Sequence, residues 1–328
     1  MYDKNSTMNN WQSAKQYKKY DITFVYYRVG GKVKRPIQME NLTLTYLDQI
    51  RHNLDYADYD IICKSIADLK DKFVPTALLK KGWYIDRVRI NRENEIFSNI
   101  EQVSYIHDKD VLEKFVTFGR ANEPKQAVFY GAVVSQEIQQ PRVVAYFETS
   151  DLLKELDKFE NVEEIFTLSR WEILEDIEII EMIFSDEALK VNEYNKLSLK
   201  NQLKNYGHLP LAEHIEKQGK FFSNEFARND IKKGESFKYK ISASYANYIW
   251  NNTHLKGITY PSVQFNYLGQ NVALLPKLVD KYLKLQKVGM FKCKKENGKN
   301  LTVACFKLAT DLGENSMDFK WFDYFGTE

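Results

Sequence analysis

Hydrophobic positions in this chain recur at two spacings, and the change between them marks out most of its elements. Ile62, Ile66, Leu69 and Phe73 follow one another at four, three and four residues, the stripe of an amphipathic helix, and Pro75 stops it. Leu44, Leu47, Ile50 and Leu54 predict a helix before it, capped by Asn41 or Thr43. Residues 1 to 35 are polar apart from DITFVYYRVGGKV, whose Gly30-Gly31 pair suggests a strand and turn on a loosely attached arm. At WYIDRVRI the period falls to two, which predicts a strand with Trp83, Ile85, Arg87 and Arg89 on one face.

Further along, Gln126 to Tyr130 (QAVFY) reads as a short buried strand that Gly131-Ala132 ends, after a loop containing Gly119 and Asn122 to Pro124. Helical signals run from Asp151 to Phe159, and IFTLSRWEIL and IEIIEMIF are strand-like. Residues 185 to 230 read as two helices, the second with Leu211, Ile215, Phe222 and Phe226 on one stripe. Tyr245, Tyr248 and Ile249 predict a helix ending near Asn251-Asn252. Ile258 to Tyr260 reads as a strand broken by Pro261, with Ser262 just after the break, and Asn271 to Leu275 reads as another. The tail predicts a hairpin with Asn297-Gly298 at its turn. Helices and strands thus mix without strict alternation, an α+β chain.

Composition narrows the class more than the chemistry. The 328 residues, 44% hydrophobic, suffice for one large core or two domains. A net charge of +2 without a long like-charge run gives no polybasic tail for nucleic acid or an acidic membrane surface. The three cysteines, Cys63, Cys293 and Cys305, lack CxxC spacing, which fits a reducing compartment. The five histidines, His52, His107, His208, His214 and His254, form no close ligand pair, so no metal is expected. The start MYDKNSTMNNWQ has no apolar signal core, and no run of about eighteen apolar residues occurs. The expectation is a soluble cytoplasmic protein.

The candidate chemistry starts from arginines. On a strand rising about 3.3 Å per residue, the Cα atoms of Arg87 and Arg89 lie roughly 7 Å apart, and two guanidiniums at that separation could converge on a diphosphate. The planar fork of arginine donates two hydrogen bonds at once to such a group. The same spacing fits a strand edge whose arginines pair with carboxylates. GRANEPKQAVFYGA presents Arg120 and Asn122 from a loop beside a strand, a common way to hold binding groups and equally a plain surface loop. Glu148, behind the apolar run VVAYF, is costly there unless paired or used.

Taken together, RVRI at 87 to 90, SYI at 104 to 106, GRAN and VFYGA around Arg120 to Ala132, AYFET at 145 to 149, and GITYPSVQ with GQNVAL at 257 to 274 resemble the RES domain family, named for an arginine, a glutamate and a serine. The resemblance runs in order from about residue 80 to about 290. It implies an ADP-ribosyltransferase-like fold with a mixed β core, and an enzyme that consumes NAD as substrate, without a metal, as the toxin of a toxin-antitoxin pair or a defence effector. Arg87 corresponds to the arginine of the first motif, Arg120 to that of the GRxN loop, Tyr130 to the tyrosine after it, Glu148 to the glutamate and Ser262 to the serine.

In that reading Arg87, Arg89 and Arg120, with Asn122 beside them, face the diphosphate of NAD, and Tyr105 or Tyr130 stacks on a base. Glu148 stabilises the sugar cation, and Ser262 bonds the ribose or a phosphate. Glu148 stands further behind Tyr130 than in shorter family members, so Glu137 stays a second candidate. Relative to those members, residues 1 to 78 are an added arm and helical module, 79 to 328 the catalytic part, and about 185 to 230 a helical insertion. An antitoxin or regulatory protein is implied as a partner, and self-association is compatible. Three functions stay open: an NAD-cleaving enzyme using water or phosphate, an ADP-ribosyltransferase acting on a protein or nucleic acid, and a non-catalytic module gripping a nucleotide or RNA strand.

Overall fold

The structure is a computed structural model and describes residues 37–69, 72, 74–93, 95–135, 137–154, 158, 160–296, 301–310, 312 and 318–324. The strand and turn expected around Gly30-Gly31, Phe73 of the second helical stripe, and the hairpin turn at Asn297-Gly298 lie outside these residues.

Ten strands form one sheet. They are β1 (Thr76–Leu79), β2 (Tyr84–Ile90), β3 (Phe129–Val133), β4 (Val162–Ile173), β5 (Ile177–Glu181), β6 (Gly257–Pro261), β7 (Gln270–Leu274), β8 (Leu283–Lys295), β9 (Thr302–Thr310) and β10 (Lys320–Asp323). Their spatial order is β1-β5-β6-β7-β3-β2-β4-β8-β9-β10. Neighbours are antiparallel except β5 and β6, so the sheet is mixed.

Eleven α-helices accompany it among the described residues. They are α1 (Ile37–Ile50), α2 (Tyr59–Asp68), α3 (Ile100–Val103), α4 (Lys109–Phe115), α5 (Pro141–Thr149), α6 (Asp151–Lys154), α7 (Asp186–Val191), α8 (Glu193–Tyr206), α9 (Ala212–Phe226), α10 (Lys240–Asn252) and α11 (Pro276–Tyr282). The protein is α+β, as its pattern predicts.

Both faces of the sheet are covered, and strand alternation distributes the side chains. In β7, Ala273 joins one core with Ile258, Tyr260, Phe222, Phe226, Tyr245 and Trp250, whereas Val272 and Leu274 join another with Ile85, Phe129, Trp171 and Ile179. Leu44, Leu47, Leu54, Ile62 and Ile66 of the N-terminal helices belong to the first core. The division expected after residue 78 falls inside β1, which pairs with β5 from Thr76 to Leu79.

Several boundaries differ from the pattern, each for a local reason. Helix α1 begins by Ile37, so Asn41 and Thr43 lie inside it rather than capping it; Gln38, Met39 and Glu40 are good helix formers. Helix α2 ends at Asp68, and the Leu69 amide closes it on the Ile66 carbonyl. The strand expected over 126 to 130 is shifted to Phe129–Val133. Lys125 has a positive φ of 67°, and the Gln126 side chain is engaged with Glu123 and Asn247, so the chain is still turning there. Three helices, not two, fill 185 to 230, because the Asn192 side chain caps α8 directly after α7 ends.

The feature that makes a site is the parting of β2 from β3. Their ladder holds only Ile85 with Val133 and Asp86 with Ala132, whereas β3 stays paired with β7 throughout and β2 with β4. Where they touch, Gly131 is obligatory: a Cβ there would sit 2.5 Å from Ile85 Cγ2 and 3.0 Å from the Asp86 carbonyl. Asp86, fully buried, fixes the other side through a two-pronged bond from Arg170 on β4 at 2.7 Å and 2.7 Å. Helix α5 then lies across β2, β3 and β7, packing Val144, Ala145 and Tyr146 on Val88, Ala132 and Phe166.

Because the N-terminal helices share their core with the sheet, Leu47→Ala should lower the stability of the whole chain by about 2–5 kcal/mol. Urea unfolding followed by two probes should stay a single transition with an earlier midpoint. A separate early transition, with the rest unchanged, would show that α1 and α2 form an independent unit.

Candidate active site between the parted strands

Beyond the point where β2 and β3 separate lies a pocket of about 200 Å³. Arg87 and Val88 come from β2, Tyr130 and Gly131 from β3, and Arg120 from the preceding loop. Ala145, Glu148 and Thr149 come from α5, Tyr260 from β6 and Asn271 from β7. Of the residues singled out in the sequence, Arg87, Arg120, Tyr130 and Glu148 are brought together here.

Glu148 sits in the last turn of α5, the end of a helix where a negative charge is disfavoured. Three donors offset that cost. Ser262 Oγ donates to its Oε1 at 2.6 Å, Asn271 Nδ2 at 2.9 Å and the Gln264 amide at 3.3 Å. No described residue donates to Oε2, so the carboxylate is anchored by one oxygen with the other left open. The anchor is itself rigidly built: the Ser262 amide bonds the Gly269 carbonyl at 2.8 Å and its carbonyl accepts from the Tyr267 amide at 2.7 Å. Asn266 and Tyr267 close this turn in the left-handed region, with φ of 49° and 62°, a conformation that persists only where the surroundings enforce it.

Arg87 replaces the missing ladder. Its Nη1 donates to the Tyr130 carbonyl at 2.6 Å, and its guanidinium lies 5.3 Å from the Phe129 ring centroid. Its Nε is buried without a partner, and no carboxylate among the described residues forms an ion pair with it. Burial above all, with the Arg89 charge beside it, holds its pKa below the usual arginine range. Such a cation is relieved by an anion that enters the pocket.

Arg120 is held from the opposite side. Its Nη1 and Nη2 donate to the carbonyls of Phe226 and Arg228 at 2.7 Å and 3.0 Å, at the end of α9 where exposed carbonyls attract a cation. The Tyr239 ring lies 5.2 Å away. The loop that carries Arg120 is locked by Asn122, which accepts from Tyr130 Oη at 2.8 Å and donates to the Thr117 and Glu123 carbonyls. Tyr130 Oη in turn accepts from the Ala121 amide at 3.0 Å.

Five sequence candidates do not line the pocket, three of them held away from it and two standing behind its lining residues. Arg89, although on the same side of β2 as Arg87, donates through Nη1 to the Gln102 carbonyl and stacks over Phe97. Tyr105 donates to Asp280 at 2.9 Å and stacks on His107. Glu137 accepts from the amides of Glu193 and Tyr194 at the start of α8, a helix-capping position. Asn122 works as the loop clamp described above. Ser262 is fully buried and stands behind Glu148, so it positions the carboxylate rather than facing the cavity. Conversely, Tyr260 and Asn271 line the pocket without having been singled out. A buried asparagine opening the apolar strand NVAL signals a polar partner, and Asn271 finds one in Glu148.

Comparison of the sequence with models of known protein families gives no match, and neither does comparison with curated proteins. Among the described residues no cluster of three or more His, Cys, Asp or Glu is placed to hold a metal ion, and no helix is long and apolar enough to cross a membrane. Cys63, Cys293 and Cys305 are free thiols.

Gly119 should be intolerant of a side chain, because a Cβ would lie 2.2 Å from Asn122 Oδ1 and 3.1 Å from Tyr130 Oη. Gly119→Ala is expected to cost about 1–3 kcal/mol, measured by urea unfolding. A variant as stable as the parent would mean that the loop clamp yields freely.

Proposed function

We propose that this pocket binds NAD and cleaves its nicotinamide-ribose bond, by hydrolysis or phosphorolysis, as a toxin or defence effector of the RES type. The observation that carries the reading is a carboxylate anchored through one oxygen only, lining the same pocket as two guanidiniums that have no carboxylate partner among the described residues. The resemblance of the motifs to the RES family, and through it to an ADP-ribosyltransferase-like fold, supports the same reading.

In this reading the diphosphate lies toward Arg87 and Arg120, where buried donors gain most from an anion. The pocket is smaller than the roughly 300–1,000 Å³ of sites that enclose whole drug-sized ligands, so it takes the nicotinamide-ribose end. The glycosidic carbon-nitrogen bond breaks, nicotinamide leaves with the bonding pair, and positive charge develops on the ribose. Glu148 Oε2 stabilises that charge, as carboxylates do in glycoside hydrolysis. It then accepts the proton of an attacking water, or a phosphate oxygen attacks instead. Ser262, Asn271 and the Gln264 amide keep the carboxylate in place.

Purified protein incubated with NAD, with and without inorganic phosphate, should release nicotinamide, and the ribose-containing product separates hydrolysis from phosphorolysis and from transfer to a macromolecule. Glu148→Gln should fold normally and lose about a hundredfold to a thousandfold in turnover. Undiminished activity would remove Glu148 from the mechanism, and no release under any condition would favour a non-catalytic nucleotide-binding module. Arg120→Ala should weaken NAD binding and also loosen the end of α9, visible as a lower melting temperature.

An enzyme that drains NAD requires restraint, so the reading includes a partner protein that blocks it. Expression of the chain alone should arrest growth, and expression of Glu148→Gln should not. Harmless expression of a chain that is active when purified would argue against a dedicated inhibitor.

A further inference from the structure

Tyr260 is 4% exposed and lines the pocket, yet its hydroxyl bonds to no described residue. The other aromatic hydroxyls considered for the site are engaged, Tyr130 by Asn122 and Ala121 and Tyr105 by Asp280. Nor is the Tyr260 hydroxyl among the buried polar atoms sealed off without a partner, so it opens to the cavity. A hydroxyl committed to no group of the protein and open to the cavity can donate to or accept from whatever occupies the pocket.

Its position says what arrives. Tyr260 lies directly opposite Asn271 in the β6–β7 ladder, where side chains of facing residues start about 5 Å apart. Asn271 holds Glu148 Oε1 at 2.9 Å, so the tyrosine and the carboxylate flank one corner of the pocket. Burial above all, with Tyr130 and Glu148 nearby, raises the Tyr260 pKa well above its ordinary value, so the hydroxyl keeps its proton and can donate or accept. The open Oε2 of Glu148 needs a donor, the neutral hydroxyl of Tyr260 suits either role, and the guanidiniums already match phosphate. A pair of neighbouring sugar hydroxyls supplies both needs at once.

We propose that Tyr260 is a substrate-contacting, specificity-determining residue that, with Glu148 Oε2, grips the vicinal hydroxyls of a ribose and makes the site selective for ribose over deoxyribose. This rests on the NAD-cleaving reading and adds to it the part of the substrate that the tyrosine recognises.

The test is a cycle of protein and ligand deletions. Wild type and Tyr260→Phe are compared on NAD and on two analogues lacking the 2′- or the 3′-hydroxyl of the nicotinamide-side ribose, with melting temperatures confirming that the variant folds. On NAD, Tyr260→Phe should raise KM about five- to tenfold, the size of one lost hydrogen bond, with kcat changed less. On one of the two analogues the variant and wild type should be equal, and wild type should lose a similar factor when that hydroxyl is removed. Equal kinetics of both proteins on NAD would overturn the inference while leaving NAD cleavage standing, as would an effect of the same size on both analogues. A wild type that releases no nicotinamide from NAD would overturn the NAD reading and this inference with it.

Discussion

The hydrogen bond from Arg87 Nη1 to the Tyr130 carbonyl is the interaction on which the site depends. A sheet ladder that runs to its end leaves no room beside its strands, and one that simply stops leaves main-chain groups unsatisfied. Here β2 and β3 stop pairing after Asp86 and Ala132, and a side chain takes over where a main-chain donor would stand. The strands can then diverge while each stays fully paired on its far side, β2 with β4 and β3 with β7. The gap is held open by the same arginine that brings positive charge into it.

Around that gap, charge is arranged by local backbone geometry more than by ion pairs. Arg120 is held by helix-terminal carbonyls, which orient a guanidinium without neutralising it, so its charge remains available. Glu148, at a helix end that disfavours it, is held by a hydroxyl, an amide side chain and a main-chain amide, none of which cancels its charge. The carboxylates with strong cationic partners lie elsewhere, Asp86 with Arg170 and Glu225 with Arg51 and Arg228. In the proposed NAD-cleaving function, the two cations of this pocket without carboxylate partners would meet the diphosphate and its one anion the positive charge that develops on the ribose.

Much of this was legible in the sequence, and the failures share a cause. The alternation of WYIDRVRI put Arg87 on the correct strand, and the GRAN loop with its following aromatic strand was read as a holder for Arg120. Alternation cannot say where a ladder ends, so Arg89 looked equivalent to Arg87 although the Gln102 carbonyl takes it away. Glycine at 131 read as a strand end because its use here, close approach of two strands, depends on a neighbour distant in sequence. The motif resemblance picks out Ser262 as a ligand for the ribose or a phosphate, but only its burial and its bond to Glu148 Oε1 show that it stands behind the carboxylate. The roles of Tyr260 and Asn271 are not legible in the sequence, because they come from facing each other across β6 and β7.

The most direct measurement is a crystal structure of the Glu148→Gln protein grown with saturating NAD. The account predicts intact dinucleotide with its nicotinamide-ribose end in this pocket, the ribose against the substituted position and Tyr260, and its diphosphate bonded by Arg87 and Arg120. NAD bound elsewhere, or a pocket that stays without nucleotide at saturation, would contradict it.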